Sequence, residues 1–434
     1  MSIQKALTAV TSLVPTTCAE NDRDTRLRMS VLLLAVVGAA QACAVSTNDG
    51  PDAAEQEAQQ ATGTATGTSS STSKYAADLT VLTEITAGGD HTCVRRLDGR
   101  YYCWGREYNL VAPYGGQLCS GLPCTLKPTY GGTGAKQITA GYTHTCVRST
   151  NGNSTCWGDD GLGELASGAG VTGSGSFLTR DSSGTPLVFS SISAGTYSTC
   201  GVAAGTGNVL CWGAVVGGLG VPTLIQTSGT PFAGVDSVAT GSISACATWV
   251  SPNPDNVGFT NVNANGNAMA FVAFGPLTVK RIAGQDDFFC ADMSNGTVEC
   301  FGDNSVGQLG GGTTSPASTT VVGGGMALHG VTVGTAHACA LDATGQAYCW
   351  GAGTYNQLGH ITSGTPTDSA TPVTVASGAV RFSALAAGEH HTCGIGTNGH
   401  VYCWGDNEYG QTGINYIYSP PTLMAVTQTV DPPK

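Results

Sequence analysis

Charge is scarce in this chain. Asp, Glu, Lys and Arg make up 11% of its 434 residues, where soluble domains average roughly a quarter. Positive charge is the scarcer sign, with 17 Lys and Arg against 29 Asp and Glu and a net charge of −12. Nucleic acid is bound through a basic footprint, so a nucleic-acid partner is excluded. Long apolar runs are missing too: the longest, 31–40, is too short to cross a bilayer. Catalytic signatures are absent, with no Gly-x-Ser-x-Gly, no His-Glu-x-x-His and no P-loop. Gly-x-Gly-x-x-Gly occurs at 168–173 and 394–399, but the second lies in a hairpin loop and neither opens a helix. The expectation is a protein that is not an enzyme and that carries no cofactor and no metal.

Glycine and cysteine are abundant. Glycine supplies 63 residues, about twice the ordinary share, and there are 17 cysteines. Aligned on its first cysteine, a unit recurs seven times, at Cys93, Cys146, Cys200, Cys246, Cys290, Cys339 and Cys393. The spacing is 44 to 54 residues. A β-branched, glycine-rich unit of that length suggests a four-stranded blade rather than a helical repeat. Five units place a second cysteine ten residues after the first: Cys103, Cys156, Cys300, Cys349 and Cys403. Just past each midpoint stands a glycine: Gly99, Gly152, Gly296, Gly345 or Gly399. A three-residue hairpin loop needs a left-handed residue there, and glycine takes it without a Cβ clash. The resulting register puts the two cysteines opposite each other, within reach of a disulfide. Cys200 and Cys211 fit with one extra loop residue. Six such bridges are expected, which places the domain in an oxidising compartment. Zinc ligation is the weaker reading, because the pairs sit on separate units and lack Cys-x-x-Cys spacing.

The first 74 residues read as an export apparatus. Arg23, Arg26 and Arg28 precede the apolar run, which ends Ala40-Gln41-Ala42-Cys43, the pattern of a secretory signal. Cys43 is a lipidation candidate, although Ala40 stands where a lipobox has leucine. The residues ahead of the run are expected to reflect a misassigned start. Residues 43–74 are mostly Ala, Gln, Thr, Ser and Gly and bury too little apolar surface to fold. The expected organisation is a signal over 1–42, a flexible tether over 43–74 and a propeller over 75–434. The location is the outer cell envelope, held by a lipid anchor, or the medium.

The repeat Gly-x-x-His-x-Cys, a turn glycine, then Cys-Trp-Gly-x-Asn-x-x-Gly-Gln-Leu-Gly resembles the regulator of chromosome condensation repeat. Residues 301–310 and 404–413 match its tail closely, and 350–359 more loosely. The resemblance covers nearly all of 75–434. It implies an all-β, seven-bladed propeller of four-stranded antiparallel blades, of the exported, disulfide-bearing bacterial branch that includes alpha-tubulin suppressor-like proteins. The founding member is a nuclear exchange factor for a small GTPase. Here a basic tail is missing and no exchange-site residue is identifiable. Some bacterial relatives inhibit β-lactamases through one propeller face, which shows what the scaffold does elsewhere.

Departures from the repeat mark the candidate sites. Repeat 1 carries an insertion at 111–132 in which Cys119 and Cys124 form a small disulfide loop. Tyr108, Tyr114, Leu118, Leu122 and Tyr130 are its binding-loop candidates, since rigid aromatic groups lose little entropy on docking. The competing reading is a loop that covers the blade's end. In repeat 4, Cys246 has no second cysteine, because Ala273-Phe274-Gly275 stands where Cys-Trp-Gly belongs. A long connection, 251–267, is expected between its second and third strands, on the face opposite the repeat-1 insertion. His91, His144, His337 and His391 recur two residues before a cysteine. A hydrogen bond holding the turn between strands one and two is expected there, ahead of a metal ring. The repeated tryptophans read as inter-blade core, and the Asp and Asn after them as Asx turns rather than calcium ligands.

These readings converge on a binding scaffold that engages a protein through propeller loops, as a monomer. The alternatives are a carbohydrate- or matrix-binding propeller, or a secreted enzyme inhibitor. A GTPase exchange factor is disfavoured.

Overall fold

The cysteine spacing sets the geometry of each hairpin. In the computed structural model His91–Arg96 and Tyr101–Arg106 run antiparallel with Cys93 opposite Cys103. Gly99 turns between them at φ 80°. The same pairing recurs at 146/156, 200/211, 290/300, 339/349 and 393/403. All six bridges form, with Cα atoms 4.0 to 4.1 Å apart. Each closes a short loop and stabilises the fold by roughly 2.5–3 kcal/mol in the chain-entropy model.

The structure describes residues 81–106, 118–119, 122–168, 176–227, 230–231, 233–249, 257–261, 279–286, 288–315, 319–360, 366–414 and 427–428. The expected signal, Cys43 and the tether lie outside these residues, as do Tyr108 and Tyr114. No α-helix occurs among the described residues, and no helix there is long and apolar enough to cross a membrane.

Each sheet is an antiparallel meander whose first strand lies innermost. In repeat 1 the order is Leu82–Ala87, His91–Arg96, Tyr101–Arg106 and Leu122–Gly132, with the short Leu118–Cys119 paired to the start of the last strand. Repeats 2, 3, 5, 6 and 7 each build four strands. First strands pack on first strands from one repeat to the next, and Leu82–Ala87 meets Phe382–Ala387 to close the ring.

Several expectations are corrected here. The expected seven four-stranded blades are six blades of four or more strands. Repeat 4 shows only Val235–Thr240, Ser244–Trp249 and Val257–Asn261 among the described residues. Its third strand is also not where the motif suggested. Val257–Asn261, not the stretch around Ala273, pairs with the Cys246 strand. A phenylalanine, Phe259, therefore stands opposite Cys246, which forms no disulfide. The expected connection at 251–267 thus contains a strand. Its start, Val257, lies beside Thr248 at the end away from the first turn, and its end, Asn261, lies beside Ser244 at the end of the first turn. The repeat-1 insertion is likewise only partly loop, because Leu122–Gly132 is the outer strand of its blade.

The core lies between sheets. Each tryptophan joins the cluster around the preceding repeat's disulfide. Trp157 packs with Cys93 and Cys103, Trp212 with Cys146 and Cys156, and Trp350 with Cys290 and Cys300. Trp404 packs with Cys339 and Cys349. Trp104 packs with Cys393 and Cys403, joining the last repeat to the first. Bridge and indole thus form one inter-blade unit: the disulfide stiffens one sheet and presents sulfur to the next sheet's largest apolar group.

Candidate functional site: the face of the first turns

The turns between first and second strands form a ring. Glu389 N donates to Gly88 O at 3.2 Å, Gly89 N to Tyr142 O at 2.9 Å, and Tyr142 N to Gly195 O at 3.2 Å. Ser242 N donates to Asp286 O at 2.9 Å, and Thr335 N to Gly388 O at 3.3 Å. Such close approach needs glycine. A Cβ on Gly88 would stand 2.3 Å from both Gly141 O and His91 Cε1.

Beneath the ring, the repeated histidines cross between repeats rather than holding their own turns. His91 Nε2 lies 2.7 Å from Thr145 Oγ1, and His144 Nε2 lies 2.8 Å from Thr199 Oγ1. His337 reaches Thr392 at 2.8 Å, and His391 reaches Thr92 at 2.9 Å. Thr199, Thr392 and Thr92 donate their one hydroxyl proton to the carbonyls of Glu164, Gln357 and Gln411. Each must therefore accept from its histidine, which sets the Nε2–H tautomer. The same three carbonyls accept the indole N–H of Trp212, Trp404 and Trp104. One tail carbonyl thus fastens two side chains of the next repeat. Burial holds all four histidines neutral, with pKa values lowered to about 3. These nitrogens are committed to threonines of separate repeats, so the arrangement is a set of latches and not a shared ligand set. The Asx expectation also takes concrete form: Asn304, Asn407 and Asp160 accept the backbone N–H of Leu309, Thr412 and Leu165.

Above the ring, the residues between the turn glycine and the histidine point onto one face, together with loops between third and fourth strands. Arg106 pairs with Asp90 at 2.7 Å and lies 4.6 Å over the Tyr409 ring. The Tyr142 hydroxyl donates to the Glu389 carboxylate across repeat 1. His390 stacks on Tyr355 at 3.9 Å, and Tyr142 lies 6.1 Å from Tyr197. Tyr197, Ile243 and Leu162 remain 38%, 53% and 43% exposed. Desolvation raises the pKa values of Asp90 and Glu389 above the ordinary carboxylate range, against the pull of Arg106, while Tyr142 also acts to lower that of Glu389. Desolvation also lowers that of His390.

The residues expected to form the site do not all converge here. Cys124 is buried and disulfide-bonded. The side chains of Cys119, Leu118 and Leu122 lie outside the described residues. Tyr130 sits eight residues along the strand from Leu122, roughly 26 Å away at ~3.3 Å per residue. It is half exposed and packs edge-on against Tyr102, away from the loop. Cys246 is fully buried and its thiol pKa is pushed up by burial, which makes it inert as a nucleophile.

Among known proteins, a model of the regulator of chromosome condensation (RCC1) repeat matches residues 82–109, 135–164, 329–357 and 382–411, and a second RCC1 repeat model matches 344–395. The first four segments are the repeats that carry the latch histidines. The chain is 33% identical over 141 residues to the ultraviolet-B receptor UVR8 of Arabidopsis thaliana, covering 32% of this chain and 31% of that protein. It is 38% identical over 84 residues to RCC1 domain-containing protein 1 of Homo sapiens, covering 19% and 21%. The matches therefore span less than a third of these relatives. In fold it is similar to Prp20p from Saccharomyces cerevisiae, with a TM-score of 0.57 at 15% identity over 73% of this chain and 82% of that one. Prp20p is described by its binding to Gsp1p and histones. This chain thus carries regulator of chromosome condensation repeats, and the four latch histidines lie within them.

Proposed function

We propose that this chain is a non-enzymatic binding scaffold, exported to the envelope or the medium, that engages a protein through the face of the first turns. The carrying observation is the ring itself. It gathers Asp90, Tyr142, Tyr197, Ile243, Glu389 and His390 from five repeats onto one surface. Asp90, Tyr142, Glu389 and His390 stand one or two residues before a buried latch histidine. Exposed aromatic and aliphatic groups beside polar ones are the composition of a protein-binding surface. The disulfides fit an oxidising, extracellular setting, and the family fold is one that relatives use to bind proteins.

A crosslinking pull-down from envelope and medium proteins tests this. The oxidised chain is compared with a Tyr142→Ala/Tyr197→Ala variant. Removing 111–132 is not a suitable control, because it deletes the outer strand of repeat 1. A partner captured by the parent and lost by the variant is expected. Capture by both would move the site off this face. Retention on polysaccharide with no protein captured would favour the carbohydrate reading.

A further inference from the structure

Charge is divided unevenly between the two ends of the sheets. At the end bearing the first turns, Arg106 is the one Lys or Arg among the described residues of the turns and loops, and Asp90 already engages it. Carboxylates at Asp159, Asp286, Asp303, Glu389 and Glu408 share that end. The other end is mixed: Arg100, Lys136, Arg148, Arg281 and Arg381 stand there at strand starts, strand ends and hairpin turns, together with Asp98, Asp292 and Asp342. Among the described residues, negative charge is thus concentrated on the surface where Tyr197, Ile243 and Leu162 are exposed.

We infer, building on the binding role proposed above, that the partner is a protein presenting a basic surface, whose lysine or arginine side chains pair with Asp90 and Glu389 and lie over Tyr142 and Tyr197. Three features agree. The side chains of Asp90 and Glu389 are only 11% and 21% exposed, so each has lost most of its water and has one protein donor in return. A carboxylate accepts several hydrogen bonds, and a charged donor arriving there makes a strong one. Tyrosine rings attract cations over their faces, and more strongly when water is excluded. His390, with its pKa lowered, leaves the negative charge unopposed at neutral pH.

The test is selection of random twelve-residue peptides on the full, oxidised protein. Competition is by the same protein bearing Asp90→Asn and Glu389→Gln, which keep the bonds from Arg106 and Tyr142. Enriched peptides are expected to carry Lys or Arg next to aromatic residues. They should bind the double variant at least about tenfold more weakly, the loss expected when a desolvated charge pair is broken. Affinity for the parent should also fall about tenfold between roughly 50 and 500 mM salt, because the pair is screened. Enriched peptides that depend on Tyr142 and Tyr197 but lack basic residues would overturn this inference and leave the binding role standing. Basic peptides that bind parent and double variant equally would overturn it too, assigning their affinity to bulk charge. Peptides insensitive to Tyr142→Ala/Tyr197→Ala would overturn both.

Discussion

Two arcs of the ring solve the same packing problem differently. From repeat 6 through 7, 1 and 2 to repeat 3, each histidine meets a threonine of the next repeat. In the arc through repeats 4 and 5 the equivalents of His91 and Thr92 are Ser244 and Ala245, then Phe288 and Phe289. Phe289 stacks on Phe301 at 5.5 Å, in the cluster that holds the Cys246 thiol. Phe301 occupies the tryptophan position. The difference follows from repeat 4, which lacks the Gly-Gln-Leu-Gly tail after Phe274-Gly275. Without that tail carbonyl, an indole N–H or a threonine hydroxyl on repeat 5 would be buried without a partner, at a cost of about 1–3 kcal/mol each. Phenylalanine has nothing to satisfy. The comparison teaches that histidine and threonine go together across a junction, while tail and tryptophan can stay without them: Gln308 O still accepts the Trp350 N–H where Phe288 and Ala338 replace histidine and threonine.

Forcing the polar solution onto the apolar arc tests this most severely. Phe289→Thr removes a buried ring and leaves a hydroxyl without its carbonyl. A loss of about 3–5 kcal/mol is expected in urea titration of the oxidised protein, the range for emptying a buried aromatic site. A loss below about 1 kcal/mol would mean that repeat 4 supplies an acceptor after all. The reciprocal change is smaller. Thr392→Val leaves the His337 Nε2–H buried without a partner and removes one of two donors to Gln357 O. About 1–3 kcal/mol is expected. Adding His337→Leu should cost less in the Thr392→Val background than in the parent, since the orphaned donor is then gone. Additive losses in that double-mutant cycle would show the two residues to be uncoupled.

How far these features are legible in the sequence depends on what sets them. A ten-residue cysteine spacing with a turn glycine suffices for the disulfides, because so short a loop leaves one register. The tryptophan positions read correctly as core for the same reason. Repeat 4 does not read correctly, because Ala273-Phe274-Gly275 mimics the motif while Val257–Asn261 makes the strand. A motif match and a β-branched alternation compete there, and strand pairing decides. The histidine bond reads correctly as a bond but not as to its partner, which lies 54 residues on from His91. The proposed binding face is the least legible. Repeat alignment draws the eye to invariant positions, whereas Asp90, Tyr142 and Glu389 occupy the variable ones. Only ring closure brings residue 389 beside residue 142.

The smallest expected effect concerns the one latch in the polar arc that departs from its fellows. Gln308, Gln357 and Gln411 each accept a backbone N–H two residues before them, and Gln308 and Gln411 also donate to Asp303 and Asp406. Repeat 2 has Glu164 at this position, accepting from Leu162 N. Burial pushes its pKa up to about 7, with Asp159 and Asp160 adding to the rise. Because that pKa is above its unfolded value, Glu164 favours the fold at low pH and loses that contribution as pH rises through about 7. Asp406, pushed up to about 6, acts in the same direction. The four latch histidines act the opposite way. Their pKa values are depressed to about 3, so their contribution is complete above roughly 6.5 and is lost as pH falls toward 3. Four histidines outweigh two carboxyls, so thermal melts should hold near pH 7 and fall progressively below about pH 6, as histidine protonation in the unfolded chain dominates. Glu164→Gln restores the residue of the other latches. It should stabilise by about 1 kcal/mol at pH 8, where the buried carboxyl of Glu164 is charged, and by little at pH 5. An equal gain at both values would mean that Glu164 does not titrate in this range, and that repeat 2 differs from its fellows in sequence but not in electrostatics.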